Sequence, residues 1–389
     1  MFKVRTYNQI SAIGLERFPR ERYEIASEFQ EPDAFLLRSH KLHNEAVPAS
    51  VVAVARAGAG VNNIPVEAYT QQGVVVFNTP GANANAVKEL VAAAMLLASR
   101  DIVGGVNYVQ TLTEMSDAGE MDKLLEAEKK RFAGGELAGK TLGVVGLGAI
   151  GALVANMALE LGMKVVGYDP AISVEAAWRL SSRVEKMENL QSLLQKSDFV
   201  TLHVPAIDAT KNLLNAETLR SMKPSACLLN FARKEIVDAD AVLAAIEAGK
   251  LGGYISDFPT PSLLGKPKVL LMPHIGASTA EAEDNCAIMA ADQLMDYLEN
   301  GNIRNSVNFP ATYMDRVGGT RITFSNQNVP RVLGHVLSVL ADHDINVIDM
   351  VNKSRGDVAY NIIDVEAGVN SEVITAIEAT EGVIRVRLV

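Results

Sequence analysis

The stretch Thr141-Leu-Gly-Val-Val-Gly-Leu-Gly-Ala-Ile-Gly151 decides the fold. Its first five residues read as a buried strand, and three glycines spaced G-x-G-x-x-G lead into a predicted helix over residues 150–161. In dinucleotide-binding βαβ units, the first glycine (here Gly146) allows a tight turn and the second (Gly148) lets the backbone approach a pyrophosphate. The third (Gly151) lets the helix pack on the sheet, with its N-terminus facing the anion. The stretch therefore predicts a Rossmann-type cofactor domain.

A second predicted strand, residues 164–168, follows this motif and ends at Asp169. An acidic residue at this place in the fold hydrogen-bonds the adenosine ribose and repels a 2′-phosphate. The cofactor is therefore expected to be NAD and not NADP. The alternative interpretation is a glycine-rich turn followed by a surface aspartate, with no ligand.

The composition is that of an acidic protein with several domains. The 389 residues suffice for two or three domains, 48% of the residues are hydrophobic and 21% are charged. The net charge of −10 argues against a surface for nucleic acid or anionic membranes, so an anionic substrate needs local positive groups. Cys227 and Cys286 lie in apolar patterns, which favours a reducing compartment. Since no signal-peptide pattern and no apolar run of membrane-spanning length is present, we expect a cytoplasmic protein.

Five short apolar runs precede the glycine motif and are separated by helix-like segments. They predict a small parallel α/β domain of the flavodoxin-like kind, with strands at residues 2–7, 23–26, 34–38, 51–55 and 73–77. Ligands bind where the strands of such sheets end, and here those ends carry Arg38, Arg56 and the backbone of Ala57 and Gly58. Two arginines so placed suit a small dianion, although a single such arginine is more often a solvated surface residue.

Residues 84–100 form a long predicted helix, and no strand is expected before residue 141. The segment between them contains the mixed-charge run 126–131, which includes Lys129. It is predicted to form helices that reach another subunit or, alternatively, a solvated charged face.

Strand–helix alternation continues after Asp169. Further strands are predicted at residues 184–187, 199–203, 227–231, 253–256 and 269–272, which makes a doubly wound sheet of seven strands. The next helix begins with the capping box Ser278-Thr-Ala-Glu281 and is expected to cross back to the first domain.

The C-terminal region reads as a third unit. The polar stretch 299–318 resembles a linker, and the elements after it follow the order β-α-β-β-α-β of ferredoxin-like folds. The expected domains are a substrate domain at 1–98 completed by 283–311, a cofactor domain at 99–282, a linker at 312–318 and a third domain at 319–389.

Two charged side chains stand at predicted strand ends near the cofactor. Arg233 closes Asn230-Phe-Ala-Arg233, and a guanidinium binds both oxygens of a planar carboxylate. His274 follows the last strand, and an imidazole suits proton transfer near neutral pH. His203 also ends a strand, where it lines the cofactor site or is simply buried. No spacing of His, Cys and Asp resembles a metal site, so no metal is expected.

Several motifs together make the chain resemble the D-isomer-specific 2-hydroxyacid dehydrogenases along residues 1 to about 310. They are Arg56-Ala-Gly-Ala-Gly60, Glu136-Leu-Ala-Gly-Lys-Thr-Leu-Gly143 before the glycine turn, Leu202-His-Val-Pro205, Asn230-Phe-Ala-Arg233 and Pro273-His-Ile-Gly-Ala-Ser-Thr279. Residues 319–389 resemble an ACT domain. The resemblance implies NAD-dependent oxidation of a small phosphorylated 2-hydroxy acid by a homo-oligomer, a dimer or tetramer. Two alternatives are a family member acting on glyoxylate or hydroxypyruvate, and a regulator that binds NAD without useful catalysis.

The resemblance also implies residue roles, with Arg233 and His274 catalytic. The implied cofactor residues are Gly146, Gly148, Ala149, Ile150, Gly151, Asp169, His203, Val204, Pro205, Phe231, Ala232, Arg233, Asp257, His274, Gly276 and Ala277. The implied substrate residues are Arg38, Arg56, Ala57, Gly58 and Arg233, with either Lys41 or a basic residue near Lys129 from a partner subunit at the phosphate.

One stretch departs from the family pattern. The family has a strand ending D-V-F-x-x-E-P, whose Glu pairs with the catalytic His, whereas this chain reads Ser256-Asp-Phe-Pro-Thr-Pro-Ser262. Aligned without gaps, Pro261 takes the Glu position and Ser256 the Asp position. With a one-residue gap, Asp257 replaces the family Asp, which contacts the nicotinamide amide. Either Asp257 acts as a catalytic partner of His274, or His274 works without a carboxylate.

The ACT resemblance implies a serine effector site. The implied effector residues are Asn326, Asn328 and Asn346, and Arg331 stands where a helix-start Gly is expected. A side chain at position 331 is predicted to crowd the ligand, so we expect weak or absent inhibition by serine. The alternative is a domain that only holds subunits together.

Overall fold

The computed structural model describes residues 1–366 and 368–389. They form two compact units, one of residues 1–83 with 280–389 and the other of residues 84–279. In the part of the chain that the structure describes, no helix is long and apolar enough to cross a membrane.

The first unit begins with a parallel five-stranded sheet of order β2-β1-β3-β4-β5, the order of flavodoxin-like folds. Its central strands are continuous apolar runs because helices and chain cover both faces. The elements are β1 Phe2–Thr6, α1 Ala12–Leu15, β2 Tyr23–Ala26, β3 Ala34–Leu37, β4 Ala53–Arg56, α2 Val66–Gln71 and β5 Val75–Phe77. The predicted flavodoxin-like fold is confirmed.

The second unit is built on a parallel seven-stranded sheet of order β12-β11-β10-β9-β6-β7-β8. Strand order reverses between β6 and β9, which is where a doubly wound sheet binds its ligand. The elements are α3 Ala84–Ser99, α4 Ile102–Gln110, α5 Ala118–Glu128, β6 Thr141–Val145, α6 Ala149–Glu160, β7 Lys164–Tyr168, α7 Val174–Trp178, β8 Glu185–Lys186, α8 Leu190–Lys196, β9 Phe199–Leu202, β10 Cys227–Asn230, α9 Ala239–Glu247, β11 Gly253–Ser256 and β12 Val269–Leu271. The predicted Rossmann-type sheet is confirmed.

Two helices flank the start of this sheet and share one core. Helix α3 buries Val87, Val91 and Ala94, which recur at helical spacing, and α6 buries Val154 and Ala158 in the same cluster. The glycine turn that leads into α6 is therefore held on a rigid base.

The remaining elements return to the first unit. They are α10 Ala280–Asn300, β13 Thr320–Gln327, α11 Val332–Asp342, β14 Val347–Arg355, β15 Val358–Val365, α12 Ser371–Glu378 and β16 Val383–Leu388. Helix α10 packs closely on α1, since a Cβ on Gly14 would lie 2.4 Å from the Cβ of Ala287.

Strands β13 to β16 form an antiparallel sheet of order β14-β15-β13-β16. Ile322, Phe324 and Ile363 point to one face, where they pack with apolar residues of α11 and α12. The order β-α-β-β-α-β confirms the ferredoxin-like prediction for the C-terminal region.

The opposite face of the C-terminal sheet packs within the same unit. Tyr360 and Ile362 share a core with Tyr297 of α10 and with Phe309. In the stretch predicted as a linker, Thr312 is 1% exposed and Met314 is 6% exposed. This stretch is therefore packed in place, which its polar composition did not indicate.

Candidate active site

The glycine turn after β6 has the geometry that a dinucleotide requires. Gly146 has φ +89°, and a Cβ there would meet the backbone oxygen of His203 at 2.7 Å. A Cβ on Gly151 would lie 1.9 Å from the oxygen of Gly146. A Cβ on Gly148, in contrast, would meet nothing within 4 Å. Packing explains the first and third glycines, and the open space at the second leaves room for a phosphate at the start of α6.

Asp169 lies at the end of β7, next to the same turn. Its Oδ2 accepts a hydrogen bond from the N–H of Leu147 at 2.8 Å, and its Oδ1 accepts one from Ala171 at 2.9 Å. These bonds hold the carboxylate beside the turn, and its remaining lone pairs can accept from ribose hydroxyls. Ala149 and Ile150 begin α6 directly after the turn. The residues present therefore fit NAD.

His203 follows β9 and closes the other side of the turn. Its Nε2 lies 2.9 Å from the Thr201 hydroxyl, and its Nδ1 is buried without a protein partner. Burial lowers the pKa of His203 to about 3, so the ring is neutral near pH 7. Val204 and Pro205 come next, with the Val204 side chain against Gly146.

Arg233 is presented by a short braced turn after β10. The fully buried Asn230 donates from Nδ2 to the Arg233 carbonyl at 2.9 Å and accepts from the Ala232 N–H at 3.1 Å. The Arg233 guanidinium donates one bond to the Ala232 carbonyl at 2.7 Å, which leaves other N–H groups for a ligand. Phe231 and Ala232 are buried. The brace by Asn230 was missed from sequence, although its place before Phe-Ala-Arg was a usable signal.

His274 occupies a turn after β12 and is exposed. Its φ is +58°, in the left-handed region, and its ring centroid lies 4.8 Å from that of Phe258. Asp257 is 2% exposed and accepts from the N–H groups of Ile275 at 2.8 Å and Gly276 at 2.6 Å. Among the described residues, no carboxylate forms an ion pair or hydrogen bond with the His274 ring. Asp257 thus lies at the turn that carries His274, where it bonds the backbone of the two following residues and not the imidazole ring.

Arg233 and His274 follow strands that are two places apart in the sheet. Strand β11 separates them, with Asn230 paired to Ser256 and Ser256 to Leu271. Two interstrand spacings amount to roughly 10 Å. Arg233 and His274 thus follow strands that end at the same edge of the sheet.

The predicted substrate arginines lie in the first unit, at the ends of neighbouring strands β3 and β4. Arg38 forms an ion pair with Glu283 of α10 at 2.7 Å, with both side chains about half exposed. Arg56 donates from Nε to the Arg38 carbonyl at 2.9 Å and from Nη1 to the Gly60 carbonyl. Ala57 is buried, and its N–H bonds the Leu37 carbonyl. The structure thus places Arg56 so that it braces the loop that contains Gly58.

Lys129 lies on the surface, whereas the predicted effector residues make hydrogen bonds within the protein. Lys129 pairs with Glu126 just after α5 and is 62% exposed. Asn326 is 4% exposed, and its amide bonds Gln327 and Asn361. The amide of Asn328 donates to the Gly356 carbonyl, and that of Asn346 donates to Glu366.

Residues 1–366 and 368–389 contain no group of three His, Cys, Asp or Glu side chains able to hold a metal ion.

The chain belongs to the D-isomer specific 2-hydroxyacid dehydrogenases. Residues 92–276 match the NAD binding domain of that family, which confirms the expected cofactor. Within the family the chain is similar to D-3-phosphoglycerate dehydrogenases. It is 33% identical to that of Escherichia coli K12 over 342 residues, covering 85% of this chain and 79% of the relative. It is 39% identical to that of Synechocystis over 301 residues, covering 75% of this chain and 51% of the relative.

The chain therefore spans about half the length of the Synechocystis relative and 61% of the one from Methanocaldococcus jannaschii. Among solved structures, an NAD+-bound 3-phosphoglycerate dehydrogenase of Entamoeba histolytica has a TM-score of 0.59 at 25% identity. The match covers 79% of this chain and 98% of that one. D-2-Hydroxyisocaproate dehydrogenase, at TM-score 0.63 and 24% identity over 79% of this chain and all of that one, shares the fold.

Proposed function

We propose that the protein oxidises D-3-phosphoglycerate to 3-phosphohydroxypyruvate, the first step of serine biosynthesis. The observation that carries the proposal is the placement of Arg233 and His274 at the same edge of the cofactor sheet, after strands β10 and β12. A fixed cation and an imidazole about two strands apart provide for the carboxylate and the hydroxyl of one 2-hydroxy acid.

The residues of the chain take separate parts in this reaction. Arg233 binds the substrate carboxylate with its free N–H groups, which fixes the face of C2 that is oxidised. His274 accepts the proton of the C2 hydroxyl as a general base. The cofactor site at the glycine turn would hold NAD, which would supply the acceptor for the hydride from C2. The glycine turn, Asp169 and the neutral His203 hold the cofactor, and Phe231, Ala232, Gly276 and Ala277 line the nicotinamide end.

The phosphate of the substrate is assigned to the arginines of the first unit. Arg38 lies at the end of β3 and forms an exposed ion pair with Glu283, a contact that a phosphate dianion can replace. Arg56 and the Ala57-Gly58 backbone support the same loop, and Lys129 is assigned to this site from a partner subunit.

The test is a comparison of NADH formation from D-3-phosphoglycerate, D-glycerate and glycolate at alkaline pH. We expect the phosphorylated substrate to be preferred, and Arg38→Ala to raise its KM while leaving that of D-glycerate unchanged. Equal turnover without the phosphate would favour the glyoxylate or hydroxypyruvate alternative. Binding of NAD without turnover of any substrate would favour the regulator.

We also propose that the protein is a cytoplasmic homo-oligomer that pairs through the segment around α4. Ile102, Val103, Val106 and Val109 of this helix are between 38% and 56% exposed in the single chain. An apolar stripe of this kind marks an interaction surface. The cytoplasmic location is supported by Cys227 and Cys286, which are free thiols and suit a reducing compartment. Light scattering should give a mass at least twice 41.7 kDa. Val106→Asp should dissociate the oligomer.

Inhibition by serine is proposed to be weak or absent. Arg331 has φ +80° at the N-cap of α11, a left-handed conformation that favours glycine. Its side chain stands at the helix start, and Asn326 is engaged inside the sheet. Strong inhibition of NADH formation by sub-millimolar L-serine would show that the site is open.

A further inference from the structure

The turn that carries His274 needs a specific support. His274 has φ +58°, a left-handed conformation that residues other than glycine adopt infrequently and keep only when surrounding contacts impose it. The imidazole itself is exposed, and its ring contact is with Phe258 at 4.8 Å between centroids. The support must therefore act on the backbone of the turn.

The Asp257 carboxylate provides this support. Its two oxygens accept from two successive N–H groups directly after His274, those of Ile275 at 2.8 Å and Gly276 at 2.6 Å. Bonds from N–H to a carboxylate are stronger than those between neutral groups. A Cβ on Gly276 would lie 3.0 Å from Oδ2, so a glycine permits the close approach.

Asp257 is itself fixed to the neighbouring strand. Its N–H donates to the Asn230 carbonyl at 3.2 Å, and the Ser256 hydroxyl donates to the same carbonyl at 3.2 Å. The Phe258 N–H in turn donates to the Ser256 hydroxyl at 3.0 Å. Asn230 also braces the turn of Arg233. One buried network therefore sets the backbone of both turns that carry reactive side chains.

We infer that Asp257 is a positioning residue that holds His274 through the backbone of residues 275 and 276, in place of a carboxylate paired with the imidazole. The inference rests on the proposed function of the same site. One oxygen faces each amide, so a carboxylate that turned toward the ring would release the turn. Pro261, at the position of the family Glu, has no group that could pair with the ring.

The first test is hydrogen exchange at the Ile275 and Gly276 amides, which does not depend on activity. We expect both amides to exchange slowly, with low-field proton shifts, and Asp257→Asn to speed their exchange at least tenfold because an amide group can accept at only one of its two ends. Asp198→Asn is the matched control, since Asp198 also accepts a backbone N–H, that of Thr141, but at the opposite edge of the sheet. Fast exchange in the unsubstituted protein would overturn the inference without any variant.

The second test is kinetic. Asp257→Asn should lower kcat roughly 10²-fold, the effect of a misplaced catalytic group, while KM for D-3-phosphoglycerate stays within twofold. The His274 ring resonances should shift in the variant and stay unchanged in Asp198→Asn. An unchanged kcat in Asp257→Asn, or amides as protected as before, would refute the positioning role. A lack of activity in the unsubstituted protein would instead refute the proposed function and leave the exchange test valid.

Discussion

Asp364→Leu is expected to be strongly destabilising, although it lies outside the candidate site. Asp364 is 1% exposed and forms a two-pronged ion pair with Arg321, which is 0% exposed, at 2.6 and 2.8 Å. The guanidinium donates its other three bonds to the carbonyls of Asn300, Met314 and Asp315, each at 3.0 Å. All five N–H groups of Arg321 therefore have an acceptor.

Removal of the carboxylate leaves a buried cation with two N–H groups unpaired. Breaking a buried pair in this way costs about 3–5 kcal/mol, which is two to nearly four powers of ten in the folding equilibrium. Arg321→Met should lower the free energy of unfolding more than Asp364→Leu does. It leaves the buried Asp364 carboxylate unpaired and removes the donor from three carbonyls, at roughly 1 kcal/mol each. In the double variant both buried charges are gone and only the three carbonyls lack a donor, so the loss in free energy of unfolding should be about 3 kcal/mol. The effects of the two substitutions are therefore far from additive.

The assay is native-state hydrogen exchange of peptides from β13 and β15. Fluorescence is unsuitable, because the single tryptophan, Trp178, lies in the other unit and is 85% exposed. Asp292→Asn is the matched control in the same unit, since Asp292 pairs with Arg17 where both side chains are about half exposed, and its loss should cost less than about 1 kcal/mol. If Asp364→Leu were as mild as this control, or if the double variant cost the sum of the single ones, the reasoning would be wrong.

Three further predictions concern the cofactor unit. Asp169→Ala should reduce the preference for NAD over NADP in kcat/KM, because it removes the carboxylate beside the glycine turn; equal use of both cofactors by the unsubstituted protein would contradict this role. His274→Ala should lower kcat roughly 10²–10⁴-fold and leave NADH binding intact, as measured by stopped-flow and fluorescence titration. Burial lowers the pKa of His203 in the folded chain to about 3, whereas the pKa in the unfolded chain is near 6.5. Between these two pH values His203 binds a proton in the unfolded chain but not in the folded chain. Its contribution to stability is thus complete above pH 6.5 and is lost as the pH falls toward 3; urea titrations at pH 7 and pH 5 should show a smaller decrease for His203→Gln than for the unsubstituted protein.

The two parallel sheets were predictable from sequence because most of their strands are short apolar runs that lie buried under helices and chain. The turn of Gly146 to Gly151 was predictable for a further reason: a glycine spacing encodes backbone geometry directly. The role of Asp257 was not predictable. Its distance from His274 depends on the register of β11 and β12, and a sequence does not show whether a carboxylate faces a ring or two amides.

The end of α10 explains why the predicted linker is packed in place. The last four carbonyls of a helix generally lack partners within it, and here arginine side chains bond all four, although the Tyr297 carbonyl also accepts from the Gly301 N–H. Arg387 donates to Tyr297 and Leu298, Arg316 to Glu299, and Arg321 to Asn300. The cations also face the negative end of the helix dipole, which adds to each bond. These arginines lie 17 to 90 residues away along the chain, on the stretch after α10 and on two strands of the C-terminal sheet. Composition therefore marks residues 299–318 as a polar linker. The contacts that hold this stretch include those of Arg321 in β13 with the carbonyls of Asn300, Met314 and Asp315, which a reading of the local sequence does not include.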